Sequence, residues 1–213
     1  NTMQDLEGFG FVLPHWFYWG WLAVMPIILL VLLRNETDPL PAAPQGNRFT
    51  HILDWISEKS GLFVAFWTIN AVCAYFYEVV MRYLFNMPTI WVHESSYLLF
   101  GMQYLMAGAF ALLHGSHVRV DVIYDKLPLR GQIGMDILTA VFFFIFAGAL
   151  LGTSWSFFYS SYQMGETSVE TWQIQYWPVK LMMFIGALLL VLAGLSKLIK
   201  DITLFYRLGG QKG

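Results

Sequence analysis

The 213-residue sequence is 57% apolar and only 12% charged, with a mean hydropathy of +0.55, against about 25% charged residues in a soluble domain. So little charge cannot clothe a water-facing surface, which excludes an ordinary soluble protein. The net charge of −2 excludes a polybasic nucleic-acid binder, and the lone Cys73 excludes a disulfide framework or a cysteine-built zinc or iron–sulfur site.

Five stretches supply the roughly 20 apolar residues needed to cross a hydrocarbon core of about 30 Å. The first is uncharged from Gly8 to Leu33, with its core at Trp16–Leu33. Asp5 and Glu7 stand where a secretory leader carries basic residues, so this span is expected to be retained. A Pro-rich connector from Asp38 to Gly46 follows. In Arg48–Lys59, the residues Phe49, Ile52, Leu53 and Ile56 recur at helical spacing with Asp54 and Glu58 opposite, which predicts a short helix in the membrane plane. The second span runs from Leu62 to Asn86 and the third from Trp91 to Gly115. Between the third and fourth, Asp121 is placed to cap a short helix ending before Pro128. The fourth span is Ile137–Tyr159 and the fifth Tyr176–Ser196. Continuous apolar runs, without strand alternation, exclude a closed barrel. The fold class is an all-α integral membrane protein of about five transmembrane helices with short interfacial helices.

Ten of the twelve basic residues fall on alternate loops: Arg34, Arg48 and Lys59; Arg119, Lys126 and Arg130; Lys197, Lys200, Arg207 and Lys212. The positive-inside rule then puts the N-terminus outside and the C-terminus in the cytoplasm.

Ionisable groups inside spans are the first candidates for chemistry. Glu78 and Arg82 are four residues apart, in the order that favours an ion pair, on a face shared with Trp67, Ala71 and Ala74. Two readings compete: an ion or proton relay, and a structural pair at a helix or subunit interface. The position near a helix end favours the second. Gly101, Gly108 and Gly115 repeat every seven residues, and Gly148-x-x-x-Gly152 follows in the fourth span. Both patterns serve close helix packing, within the chain or against a membrane partner. None of the five histidines lies at mid-bilayer depth, which argues against bis-histidine haem. With no P-loop, nucleotide fingerprint or catalytic triad, the expectation is a protein that is no enzyme and carries no cofactor or metal.

Three motifs carry a resemblance. One is Arg82-Tyr83-Leu84-Phe85-Asn86 with Trp91-Val92-His93-Glu94 beyond it. Another is His114-Gly115-Ser116-His117-Val118-Arg119-Val120-Asp121 with Leu127-Pro128, and the last is Trp177-Pro178 opening the final span. From Ile52 to Ile202 the chain resembles the small membrane subunit of tripartite ATP-independent periplasmic (TRAP) transporters, the DctQ-like family. That family commonly has two acids after the Trp; here His93 precedes Glu94, so any role of the first acid lapses. Its usual small subunit has four spans, so residues 1–47 add a fifth helix and linker to a four-helix domain at 48–213. Longer variants of the small subunit are similar to this form.

The resemblance implies a non-catalytic subunit of the bacterial inner membrane. It would scaffold a large elevator subunit in sodium-coupled uptake of an organic anion brought by a periplasmic binding protein. Trp67, Ala71, Ala74, Glu78, Arg82, Trp91, Glu94, Gly101, Gly108, Gly115, Arg119, Asp121, Gly148 and Gly152 become structural or subunit-interface candidates. The partners implied are the large subunit, the binding protein and membrane lipid, with no nucleic acid. The alternative from another class is an accessory or anchor subunit of a respiratory or photosynthetic complex built on the same scaffold.

Overall fold

The computed structural model describes residues 12–32, 48–115 and 126–210. Six helices account for nearly all of them: α1 (His15–Leu32), α2 (Arg48–Ala65), α3 (Trp67–Leu84), α4 (Val92–Leu113), α5 (Leu129–Met164) and α6 (Trp177–Gly210). Among the described residues there is no strand, only a single antiparallel bridge between Thr167 and Gln175. Five helical stretches are long and apolar enough to cross a membrane, with α2 and α3 together forming one of them.

The helices outrun the apolar segments that define them. At about 1.5 Å per residue, the 36 residues of α5 and 34 of α6 reach roughly 54 and 51 Å, well beyond a core of about 30 Å. A helix stops where its hydrogen bonds find another acceptor or donor, not where lipid ends. Helix α5 ends at Gly165, whose left-handed backbone (φ 60°) turns the chain and lets Glu166 N–H reach Ser161 O at 3.2 Å. Helix α3 ends where Asn86 enters the same region (φ 54°), which Asn tolerates, and Met87 N–H bonds back to Met81 O at 3.0 Å.

Helix α6 is the central member, packing along both α5 and α4. It runs parallel to α4: Tyr176 meets Tyr97 hydroxyl to hydroxyl at 3.4 Å, and Gly186 lies against the Leu105 backbone. It runs antiparallel to α5, with Phe184 against Trp155 and Lys197 against Asp136. These directions gather the α3–α4 and α5–α6 links at one end of the bundle. Arg48, Lys59, Lys126, Lys197, Lys200 and Arg207 belong to segments at the other end.

The expected short in-plane helix is not a separate element. It continues to Ala65 and abuts α3 across Phe66. Its faces are also rotated from the sequence expectation. Leu53 is buried inside the protein, and Asp54 turns toward α6, taking Ser196 Oγ–H at 2.7 Å and an ion pair from Lys200. The helix expected after Asp121 lies outside the described residues.

Candidate functional site

Helix α1 contains Pro26, which has no N–H to give the carbonyl of Leu22, four residues earlier. In lipid an unpaired carbonyl is costly. The indole of Trp67 fills the gap, its Nε1–H donating to Leu22 O at 2.8 Å. Trp67 and Ala71 are buried and Ala74 is half-buried, so this face of α3 is spent largely inside the chain. The account predicts a rescue. Trp67→Phe should cost about 1–3 kcal/mol by orphaning the Leu22 carbonyl. Adding Pro26→Ala, which restores the missing N–H, should recover much of that in thermal unfolding; no recovery would reject the pairing.

Farther along α3, Glu78 is buried and Arg82 is half-exposed. Arg82 Nε–H donates to Glu78 Oε1 at 2.9 Å, and a second guanidinium N–H reaches the same oxygen. The other oxygen takes Thr89 N–H at 2.9 Å and the Thr89 hydroxyl. One carboxylate therefore ties the last turns of α3 to the link that leads into α4. Trp91, at the start of α4, stacks on Tyr77 at 6.1 Å and leans on Trp172 at 6.3 Å.

Glu94 is 1% exposed in the first turn of α4, where the positive end of the helix favours an acid. Ser168 and the Trp172 backbone face it, yet neither stands in hydrogen-bond geometry, and its oxygens have no bonding partner among the described residues. Above it lies the 165–176 loop, folded back on itself by Ser168 N–H to Ile174 O at 2.8 Å and Tyr176 N–H to Glu166 O at 3.1 Å. Lys180 and Ser161 hydrogen-bond the Glu166 carboxylate and hold it below the usual carboxylate range. Trp172 is the loop's anchor. Its indole N–H donates to Leu13 O at 3.0 Å, its carbonyl takes a bond from His15 Nε2 at 2.9 Å, and its ring meets Tyr18 edge-on. Tyr18 in turn donates to Ser95 O at 2.9 Å. Helix α1 is thus fastened to α3, α4 and the α5–α6 loop.

The glycines divide differently from their spacing. A Cβ on Gly101, Gly148 or Gly152 would meet nothing within 4 Å, and one on Gly108 would touch only Leu190, at 3.7 Å. Gly115 sits at the end of α4 with φ 66°. The close approaches are at Gly61 against Phe110, Gly194 against Phe143, and Gly186 against the Leu105 backbone. Arg119 and Asp121 lie outside the described residues. No group of three metal-ligating side chains is present among the described residues. Sequence reasoning also missed the charged end of the bundle, where Lys197 bridges Asp136 and Asp201 at 3.3 and 3.2 Å. The one available signal was the Lys197–Asp201 spacing of four.

The geometry is that of a packed helical bundle tied by polar contacts at both ends. The family model for the DctQ component of tripartite ATP-independent periplasmic transporters matches residues 71–204, from within α3 almost to the end of α6. The chain belongs to this family. Among curated proteins, this DctQ-family chain is 28% identical over 75 residues to the sialic acid TRAP transporter small permease protein SiaQ of Vibrio cholerae, covering 35% of this chain and 43% of that one. It is 24% identical over 111 residues to the C4-dicarboxylate TRAP transporter small permease protein DctQ of the same organism, covering 52% and 48%. The chain spans less than half the length of either relative. The family match takes in Glu78, Arg82, Trp91, Glu94 and the candidate glycines, while α1, α2 and Trp67 lie before it.

Proposed function

We propose that this chain is the small transmembrane subunit of a TRAP-type secondary transporter. It scaffolds a large elevator subunit during sodium-coupled uptake of an organic anion delivered by a periplasmic binding protein. The family match across α3–α6 carries the reading. The relatives' named substrates, sialic acid and C4-dicarboxylates, are both organic anions. Large apolar side chains exposed on α3 (Val72, Phe76) and α5 (Phe142, Ile145, Phe146) offer faces for lipid and for a partner in the membrane. The open Gly148–Gly152 face would let a partner helix approach closely. The subunit performs no catalysis and needs no cofactor.

The test is uptake in proteoliposomes. The three-part complex should accumulate an organic anion under a sodium gradient, and this chain alone should accumulate none. Uptake by the isolated chain would defeat the scaffold reading. So would its co-purification with a pigmented complex absorbing as haem or chlorophyll, in place of a large permease subunit.

The basic end of the bundle faces the cytoplasm of the inner membrane in this proposal, with the N-terminus in the periplasm. In a Cys73→Ser background, Thr167→Cys on the exposed α5–α6 loop should react with an impermeant thiol reagent in intact cells. Lys126→Cys should react only after permeabilisation. The reverse pattern would invert the topology.

A further inference from the structure

Helix α2 has two opposed stripes. At 3.6 residues per turn, Thr50, Leu53, Ser57 and Val64 fall together, and all four are buried against the rest of the chain. Arg48, Ile52, Trp55 and Lys59 share the opposite stripe, with Phe49 beside it. Phe49, Ile52 and Trp55 are 52%, 56% and 55% exposed. The inner stripe is pinned by the Asp54–Lys200 pair and the Ser196 bonds to Asp54 and the Thr50 carbonyl, so the helix cannot roll to hide its outer one.

Depth follows from length. The uncharged stretch from Gly61 to Tyr77 spans 17 residues, about 26 Å, and so takes up most of a hydrocarbon core of about 30 Å. That puts Ser60 at the hydrocarbon edge and Arg48–Lys59 on its headgroup side, where an aromatic and aliphatic stripe flanked by basic residues is at home. Three acids at this end have cationic partners: Asp54 holds Lys200, and Asp136 and Asp201 share Lys197; Glu58, beside Lys59, has none among the described residues. Among the described residues neither Arg48 nor Lys59 has an ion-pair partner, and the neighbouring Glu58 does not pair with Lys59. Two cations without ion-pair partners among the described residues, beside three exposed apolar side chains, suit an anionic amphiphile.

We propose that the outward stripe of α2 is a seat for anionic phospholipid. Arg48 and Lys59 hold headgroup phosphates, and the Trp55 indole, with Ile52 and Phe49 beyond it, lies among the headgroups at the hydrocarbon boundary. The inference rests on the membrane-spanning fold and not on the transport reading, so it can fail or stand independently of it.

The purified full chain is incubated in mixed micelles of phosphatidylglycerol and phosphatidylcholine, and retained lipid is read by native mass spectrometry. The wild type should retain phosphatidylglycerol preferentially. A cation at an anionic surface contributes about fivefold, so Arg48→Gln with Lys59→Gln should reduce the preference roughly thirtyfold. Lys126→Gln, an exposed lysine at the same end, should leave it unchanged. An unaltered preference in the double variant, or an equal loss in Lys126→Gln, overturns the assignment. A second measurement decides what covers the stripe in the assembled protein. A nitroxide on Ile52→Cys in a Cys73→Ser background, within the complex as it purifies, should be broadened by quenchers resident at headgroup depth. Immobilisation with protection from those quenchers would mean that a protein partner occupies the stripe, which also overturns the proposal.

Discussion

Gly186→Ala should be among the most damaging single-methyl additions in this protein. A Cβ at Gly186 would lie 2.6 Å from the Leu105 carbonyl oxygen, 2.9 Å from its carbon and 3.4 Å from Met106 N. All three atoms belong to the backbone of α4, which cannot swing aside as a side chain can. The parallel pair α4–α6 must separate, loosening the centre of the bundle. Overpacking of this kind costs about 1–3 kcal/mol, and a larger side chain such as Leu should cost more. At Gly194 the obstacle is the outer edge of the Phe143 ring, which can swing aside, so Ala there should be milder. At Gly61 the Phe110 Cγ and Cβ stand 2.5 and 2.6 Å from the added carbon; ring rotation moves neither, and Ala there should cost about as much as at Gly186. Gly148→Ala, facing open space, should fall within about 0.5 kcal/mol of wild type. Thermal unfolding of the four variants in one detergent gives the order directly. Gly148→Ala as harmful as Gly186→Ala would refute the packing account.

That order could not be read from the sequence. The five spans were legible, because hydropathy and length alone decide which segments enter lipid. The seven-residue glycine repeat on α4 marked a face but not its neighbour, whereas Gly186 matters only because the α4 backbone happens to lie against it. Helix α2 shows a second limit. In water an amphipathic pattern says which side turns inward, but at a bilayer apolar side chains gain nothing by facing protein instead of lipid. Polar groups decide the rotation: Asp54 turns in because Ser196 and Lys200, over 140 residues away, satisfy it. The link from Trp172 to His15 and Leu13 is equally remote, spanning 157 and 159 residues. The Glu78–Arg82 pair was legible because an i, i+4 spacing is local. Its third member, Thr89, was not, because the path of the α3–α4 link depends on the left-handed turn at Asn86.

Thr89 changes what the Glu78–Arg82 pair should do under mutation. Were the pair simply two charges in lipid, removing either would strand the other and the two single variants would cost alike. The structure makes them unequal. Arg82 has 52% of its side chain exposed at the helix end, so its ion pair contributes about 0–1 kcal/mol. Its loss leaves Glu78 still bonded to the Thr89 amide and hydroxyl. Glu78→Ala removes the acceptor for Arg82 and for both Thr89 donors, one of them a backbone N–H in a buried setting. A buried donor left without a partner costs about 1–3 kcal/mol. We therefore expect Glu78→Ala to destabilise the chain by roughly 2–3 kcal/mol and Arg82→Ala by less than about 1 kcal/mol. The double variant should match Glu78→Ala alone, because Arg82 acts only through a carboxylate that is already gone. Thr89→Val should recover the hydroxyl's share of the loss but not the amide's. Thermal unfolding of the purified chain measures each corner of the cycle, and uptake by the full complex separates structure from transport. A relay would leave Glu78→Gln stable and assembled yet inactive; a structural tie predicts that activity falls only as far as assembly does.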